Sequence, residues 1–472
     1  MTFEQLRLKH PRLVYKRAGV LQRSGIVELT YEFLLEPDIT LRSVVTLPYS
    51  GTMDEEKFMP YVFHLGLVEA ISYWKLSCPR ELVIEAGVLD GEQIRFWYDV
   101  FIHGLGEFFY QNQIDFTVKD FLRISCSPGV FSPEKTAVDT KKQQPDNSVP
   151  SNDLLLVGGG KDSAVTLGMM KQSDRTLQTM VLNPTQAALD NIREAGFPPP
   201  LMVARVIDPK LSELNRSGYL NGHTPFSAYL AFLGILVAVL HSNENVIVSN
   251  EKSADEGNVV YRGMEVNHQY SKSFRFESMF RQYCAYSFEN AANYFSILRP
   301  LNDMQIGLIF STFPQFFTTF RSCNAGSKTG VWCGTCAKCA FTYLCLSPFL
   351  SREQMMISFG ADLFANPKII EHIRALVGLT PVKPFECVGT RNEAKLAVTL
   401  TVEKYLNENL EVPEGLLKIK SDVGLSPQDV TELRRVVMDD WGDTYNLPPE
   451  HVSLLRSTWQ TASSAGNIYA NK

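Results

Sequence analysis

Leu154-Leu155-Leu156-Val157-Gly158-Gly159-Gly160-Lys161-Asp162-Ser163 is the stretch on which the reading of this chain turns. Four apolar residues in a row suit a strand buried on both faces of a parallel sheet. Three glycines follow, able to take positive φ and to let an anion approach the backbone N–H groups. Residues 162–171 then read as a helix, whose N-terminus favours negative charge. Lys161 can neutralise an anion and Ser163 can donate a hydroxyl. Asp162 is an odd neighbour for phosphate unless it holds a cation such as magnesium. Strand, glycine turn and helix in this order predict a nucleotide site.

Working outward, strands are expected at 179–182, 202–206 and 245–249, with a buried helix at 226–240. Alternating strands and helices predict an α/β, doubly wound parallel sheet. Such sheets bind ligands beyond the carboxyl ends of their strands, so residues following Val157, Leu182, Val206 and Ser249 are expected at one crevice. Asn183 is a candidate nucleotide contact on that ground. Before this region, residues 1–132 mix strands (43–47, 81–86) and helices (61–76, 94–109) and read as an α+β domain. Residues 133–152 are polar and proline-containing and read as a linker. The α/β domain spans 153–390, and 391–472 is a partly helical C-terminal extension, with a helix expected at 427–438.

The chain has 472 residues, enough for two or three domains. Its formal net charge of -6 argues against a nucleic-acid partner. No signal peptide is visible and the 226–240 run is short for a membrane span, so a cytoplasmic location is expected. Nine cysteines, an odd number and mostly scattered, do not resemble a secreted disulfide framework. Four of them, Cys323, Cys333, Cys336 and Cys339, form C-x9-C-x2-C-x2-C, with Gly334 at the tight turn. This spacing suits a tetrahedral structural zinc that pins a loop. Reduced buried cysteines without metal, or a redox pair, are the alternatives.

The glycine loop resembles the Ser-Gly-Gly-x-Asp-Ser signature of PP-loop ATP-pyrophosphatases, with Gly158 in place of the leading serine. That resemblance implies an adenine nucleotide α-hydrolase-like domain that binds ATP through Gly158, Gly159, Gly160, Lys161, Asp162 and Ser163, and begins its reaction by adenylation. The cysteine spacing is similar to the zinc site of another PP-loop enzyme, 7-cyano-7-deazaguanine synthase. A PP-loop enzyme acting on a nucleobase or on tRNA is therefore the competing function, and a non-catalytic nucleotide-binding module the second.

Polar strings stand at three places: Asn221-Gly222-His223 before the buried helix, 250–258 directly after a strand, and 265–273. Together with Ser72-Tyr73-Trp74-Lys75, Gly104-Leu105-Gly106-Glu107-Phe108, Ser249-Asn250-Glu251-Lys252-Ser253-Ala254, Glu265-Val266-Asn267-His268-Gln269, Ser322-Cys323-Asn324 and Trp332-Cys333-Gly334-Thr335-Cys336, the chain resembles the ATP-dependent UDP-N-acetyl-α-D-muramoyl-L-alanyl-L-glutamate epimerase family over roughly residues 60–390. The resemblance implies conversion of UDP-MurNAc-L-Ala-L-Glu to its D-glutamyl epimer, with ATP becoming AMP and pyrophosphate. It also implies a pathway partner, the ligase that adds L-glutamate to UDP-MurNAc-L-Ala. Proton transfer on two faces of a carbon needs two groups or one mobile group. His223, Glu251, Lys252, Glu265 and His268 are the candidates beside Asp162, and the sequence does not choose among them. Arg299 and Arg321 can bind an anion or pair with an acid.

Overall fold

The computed structural model describes residues 1–127, 152–289 and 291–466. The linker expected at 133–152 lies outside the described residues except for Asn152, which opens a strand. Twelve strands occur among the described residues: β1 (Arg12–Arg23), β2 (Ile26–Leu35), β3 (Ile39–Pro48), β4 (Glu81–Ile84), β5 (Arg123–Cys126), β6 (Asn152–Leu156), β7 (Thr176–Leu182), β8 (Leu201–Ile207), β9 (Asn245–Val248), β10 (Val259–Tyr261), β11 (Met264–Val266) and β12 (Asn293–Ser296). The chain divides into two compact units, each built from separated segments.

The first unit comprises residues 1–154, 201–246 and 279–293. Its strands run β8-β3-β2-β1-β4-β5. β1, β2 and β3 form an antiparallel meander, with Leu13 opposite Leu35 and Val27 opposite Leu47. β4 joins β1, and β5 joins β4, both in parallel. Along β2 the side chains alternate, so that Val27, Leu29, Tyr31, Phe33 and Leu35 are buried, the period of two expected of a half-covered sheet. The helix Glu55–Trp74 is buried at every position from Tyr61 on. Its Gly66 lets Tyr15 and Tyr31 come so close that any Cβ there would collide with both rings. The expected helix at 226–240 is Phe226–Leu240, almost wholly buried. Among the described residues no helix is long and apolar enough to cross a membrane.

The second unit comprises residues 155–200, 247–278 and 294–472. Its strands run β12-β9-β6-β7. The N–H groups of Asn293 and Ile297 donate to the carbonyls of Glu244 and Val248, so β12 and β9 advance together and are parallel. One hydrophobic core extends from Leu155 to Ala462. The helices Arg391–Asn407, Glu414–Val423 and Pro449–Gly466 contribute Leu396, Val402, Leu416, Ile419 and Leu455 to it. The helix expected at 427–438 runs as Pro427–Arg434, then widens into a π turn over Arg435–Asp439.

One pairing was not foreseen. β8, expected as a strand at 202–206, lies antiparallel to β3, Val45 opposite Arg205, inside the first unit. Its side chains are mostly half-exposed, so the apolar run at 202–206 signals a strand without signalling its neighbours. The residues after Val206 therefore belong to the first unit, while those after Val157, Leu182 and Ser249 belong to the second.

Candidate active site

β6 is buried along Asp153 to Leu156, and the glycines turn the chain from its end into the helix Lys161–Met170. Gly159 has φ +87°, and a Cβ on it would lie 2.6 Å from the Ala188 nitrogen. Only glycine fits there. Gly158, where the related signature carries serine, faces open space. Gly160 stands at the helix N-cap and has no side chain to cap it; Lys161 N–H meets Ser322 Oγ, and the N–H groups of Asp162 and Ser163 face no cap from Gly160 and suit an anion. Ser163 Oγ accepts from Gly159 N–H at 3.1 Å and donates to the Gly160 carbonyl, so its hydroxyl braces the loop from inside. Asn183 follows β7 in the left-handed region, φ +46°, a conformation asparagine tolerates, and is exposed.

Lys161 is the centre of the charge network. Its ammonium is buried, contacts Asp162 Oδ1, and reaches Asp303 Oδ1 at 2.9 Å. Burial works to lower its pKa, but Asp162 and Asp303 outweigh that and hold it well above the usual lysine range. Asp303 is pushed up by burial and by the nearby acids Glu251 and Asp162, against the pull of Lys161. Glu251 is likewise pushed up by burial, opposed by Lys272. Its Oε2 is buried without a hydrogen-bond partner. Lys272 is held above the usual range, because Cys387 and Glu251 outweigh its burial. Arg299, fully buried, donates to the backbone carbonyls of Glu251, at 2.7 Å, and of Lys272. It thus clamps two members of the network in place rather than offering itself to a ligand.

Each of the other candidates has a partner. Lys252 pairs with Asp440. Glu265 is exposed on the β10–β11 hairpin and accepts from Gly257 N–H at 3.0 Å. His268 is half-buried with its N–H held by Asn258 Oδ1 at 2.8 Å. Its ring hydrogen-bonds Cys387, a residue that the sequence reading passed over because nothing near Cys387 forms a motif. His223 lies in the first unit, its Nδ1 3.4 Å from Glu107 Oε2. Beside it, the buried Lys75 donates to the Gly222 carbonyl and to Thr224 Oγ1, the latter at 2.7 Å. Arg205 and the buried Glu69 form a two-pronged pair at 2.9 and 3.0 Å. The segments containing Lys75, Glu107 and His223 are thus gathered into one polar cluster.

Cys323, Cys333, Cys336 and Cys339 place their sulfurs within 4.8 Å of one another, with no disulfide between them. Cys333 and Cys336 each lie 3.5 Å from Cys339. A zinc ion with Zn–S near 2.3 Å spaces its sulfurs about 3.8 Å apart, so the donor set fits that ion. Hydrogen bonds from Cys336 and Cys339 pull Cys323 down, and the same contact with Cys323 pushes Cys336 up to about 12. Four thiolates this close need a cation before all can ionise. Two neighbouring residues touch the glycine loop: Arg321 N–H donates to Gly159 O at 2.8 Å, and Ser322 Oγ accepts from Lys161 N–H at 3.1 Å. The Arg321 guanidinium is spent on the Gly330 and Phe320 carbonyls.

A glycine loop thus lies beside a buried network of acids and lysines, an arrangement suited to an enzyme. Residues 5–297 match the family model of the MurL N-terminal domain and residues 319–420 that of the MurL C-terminal domain. The chain belongs to this family, and it is an epimerase, hence an isomerase. Curated relatives named UDP-N-acetyl-alpha-D-muramoyl-L-alanyl-L-glutamate epimerase are 31% identical over 396 residues in Micromonospora sp., covering 83% of this chain and 84% of the relative. The protein of that name from Salinispora tropica is 33% identical over 369 residues, 76% of this chain and 78% of its own. That from Xanthomonas oryzae pv. oryzae is 28% identical over 398 residues, with shares of 83% and 85%.

Proposed function

We propose that this chain epimerises UDP-MurNAc-L-Ala-L-Glu to UDP-MurNAc-L-Ala-D-Glu, using ATP and releasing AMP and pyrophosphate. The observation that carries the reading is the uncapped glycine loop lying in one compact unit with Lys161, Asp303, Glu251 and Lys272, so that anion binding and proton transfer share a setting. The names of the relatives supply the substrate, and the expected ligase supplies its L-glutamyl form.

The α-proton of a glutamyl carboxylate is hard to remove because the carbanion forms beside a negative charge. Converting that carboxylate to an acyl adenylate removes the charge and makes the carbonyl an electron sink. Loop N–H groups and Lys161 would receive ATP phosphates. A magnesium ion suits Asp162, whose carboxylate stands on the first helical turn with 29% of its side chain exposed. It would neutralise phosphate charge. Glu251, buried and pushed toward its protonated form, can hand a proton to carbon. Water then frees AMP from the D-glutamyl product. A structural zinc on the four cysteines would brace Arg321 and Ser322 against the loop. Both co-substrates being soluble nucleotides, the reaction belongs in the cytoplasm.

The test is one incubation with UDP-MurNAc-L-Ala-L-Glu, ATP and magnesium in heavy water. AMP, pyrophosphate and D-glutamyl product carrying deuterium at its α-carbon should appear together, and none without ATP. Asp162→Ala should lower AMP formation at least about 10³-fold while keeping the wild-type circular dichroism. ADP in place of AMP, or D product without ATP, would sink the reading.

A further inference from the structure

Cys387 lies apart in sequence from the four-cysteine cluster, on a segment fastened to the polar loops that follow β9. Asn258 Nδ2 donates to the Pro384 carbonyl at 2.8 Å, and Lys383 Nζ meets Glu256 Oε1 at 2.9 Å. Gln269 Nε2 donates to the Val388 carbonyl at 3.2 Å. The same Asn258 holds His268 N–H. Cys387 and His268 are therefore positioned by a shared set of hydrogen bonds, and their side chains bond to each other. Burial would raise the thiol pKa, but Lys272, Lys338 and the His268 hydrogen bond bring it to about 5. Glu251 lies near the same group: burial raises its pKa, and the Cys387 thiolate adds to that rise. Two buried oxygens in this neighbourhood, Glu251 Oε2 and Gln269 Oε1, lack hydrogen-bond partners among the described residues. Orphaned buried acceptors call for a ligand that donates to them.

We propose that Cys387, paired with His268, is the base that takes the α-proton from the activated glutamyl residue. This rests on the epimerase reading above. The thiolate Sγ gains the proton as the C–H electron pair moves into the acyl adenylate carbonyl, giving the enolate. The opposite face of that carbon takes a proton from a second acid, for which Glu251 is the buried carboxyl at hand. One proton leaves and one arrives, so nothing is oxidised or reduced. Cys387 then passes its proton through His268 to solvent, and Glu251 regains one. A thiolate already formed at neutral pH needs no prior deprotonation, and exclusion of water by substrate raises its basicity at the moment of use.

Full-length Cys387→Ser and His268→Asn are assayed beside wild type in heavy water with UDP-MurNAc-L-Ala-L-Glu and ATP, reading AMP, chirality and α-deuterium separately. In Cys387→Ser the D product and α-deuterium should fall about 10²- to 10⁴-fold, while AMP falls far less because adenylation comes first. D product within about threefold of wild type would overturn the assignment of Cys387 and leave the epimerase reading intact. Wild type that makes neither AMP nor D product would remove the epimerase reading itself. A second measurement survives any folding defect of the variants. Iodoacetamide labelling of Cys387 in wild type, followed by peptide mass, should show a midpoint near pH 5, moved upward in His268→Asn, with protection by substrate and ATP together. An ordinary midpoint near about 8.5, or no protection, would overturn the proposal.

Discussion

Lys75 in the first unit and Lys161 in the second are buried to almost the same degree, at 7% and 3% exposure, yet they are held in opposite ways. Lys75 meets a backbone carbonyl and a hydroxyl, and burial takes its pKa down to about 8, with Arg205 adding to the fall and Glu107 opposing it. Lys161 meets two carboxylates, which overcome the same burial and hold it charged. Partners, not depth, decide the charge of a buried amine. The contrast extends to the units around them. Around Lys75 the printed partners are a carbonyl and a hydroxyl, whereas the second unit gathers the acids Asp162, Asp303 and Glu251 and four thiols within 4.8 Å of one another.

The largest effect expected from this contrast is in the four-cysteine cluster. Protein prepared without chelator should hold zinc at close to one ion per chain, and Cys336→Ser should lose most of it. Chelation should cost at least about 5 kcal/mol of stability, a fraction of the roughly 10–16 kcal/mol that structural zinc gives isolated peptides. Metal analysis showing no zinc, or a disulfide among the four, would break the idea that this unit depends on cations.

Next comes Lys161→Met, which strands Asp303 beside Asp162 and Glu251. Removing one member of a buried ion pair costs about 3–5 kcal/mol. Urea unfolding should show that loss, and adding Asp303→Asn should recover at least half of it. If the double variant is no better than the single one, charge is not what Lys161 contributes.

The smallest effect belongs to Lys75 and is a pH dependence. Its folded pKa, about 8, lies below the unfolded 10.5. Between those values the unfolded chain holds a proton that the folded chain lacks, so stability rises with pH across that window. From pH 7.5 to 9.5, wild type should gain about 2 kcal/mol relative to Lys75→Met. Lys161, with a raised pKa, stays charged over the same range and contributes no slope. A flat difference would mean that Lys75 remains an ammonium in the fold.

Much of the fold was legible because its signals are local. The helix at 226–240 was found to the residue, since an apolar run of that length, interrupted only by single residues such as Ser227 and Gly234, is too long for a strand. Of the antiparallel meander of β1, β2 and β3 only the 43–47 segment was read as a strand; β2 alternates plainly, but alternation does not say which strands pair. β8 was read as a strand, but its antiparallel pairing with β3 was not foreseen, since pairing direction is a property of two segments and β3 lies far from β8 in sequence.

What the sequence determined by itself was the glycine loop and the cysteine spacing. Both are short-range: backbone sterics admit only glycine at Gly159, and thiols three residues apart across a glycine turn meet whatever surrounds them. What only the tertiary structure decided was the state of the ionisable groups. Lys161 takes its partner Asp303 from 142 positions away, and Cys387 takes His268 from another loop. It also decided that His223 pairs with Glu107 in the first unit while Lys252 and Glu265 turn to partners of their own. A pKa is the sum of burial and neighbouring charge, and both are set by packing between segments that the linear order leaves far apart.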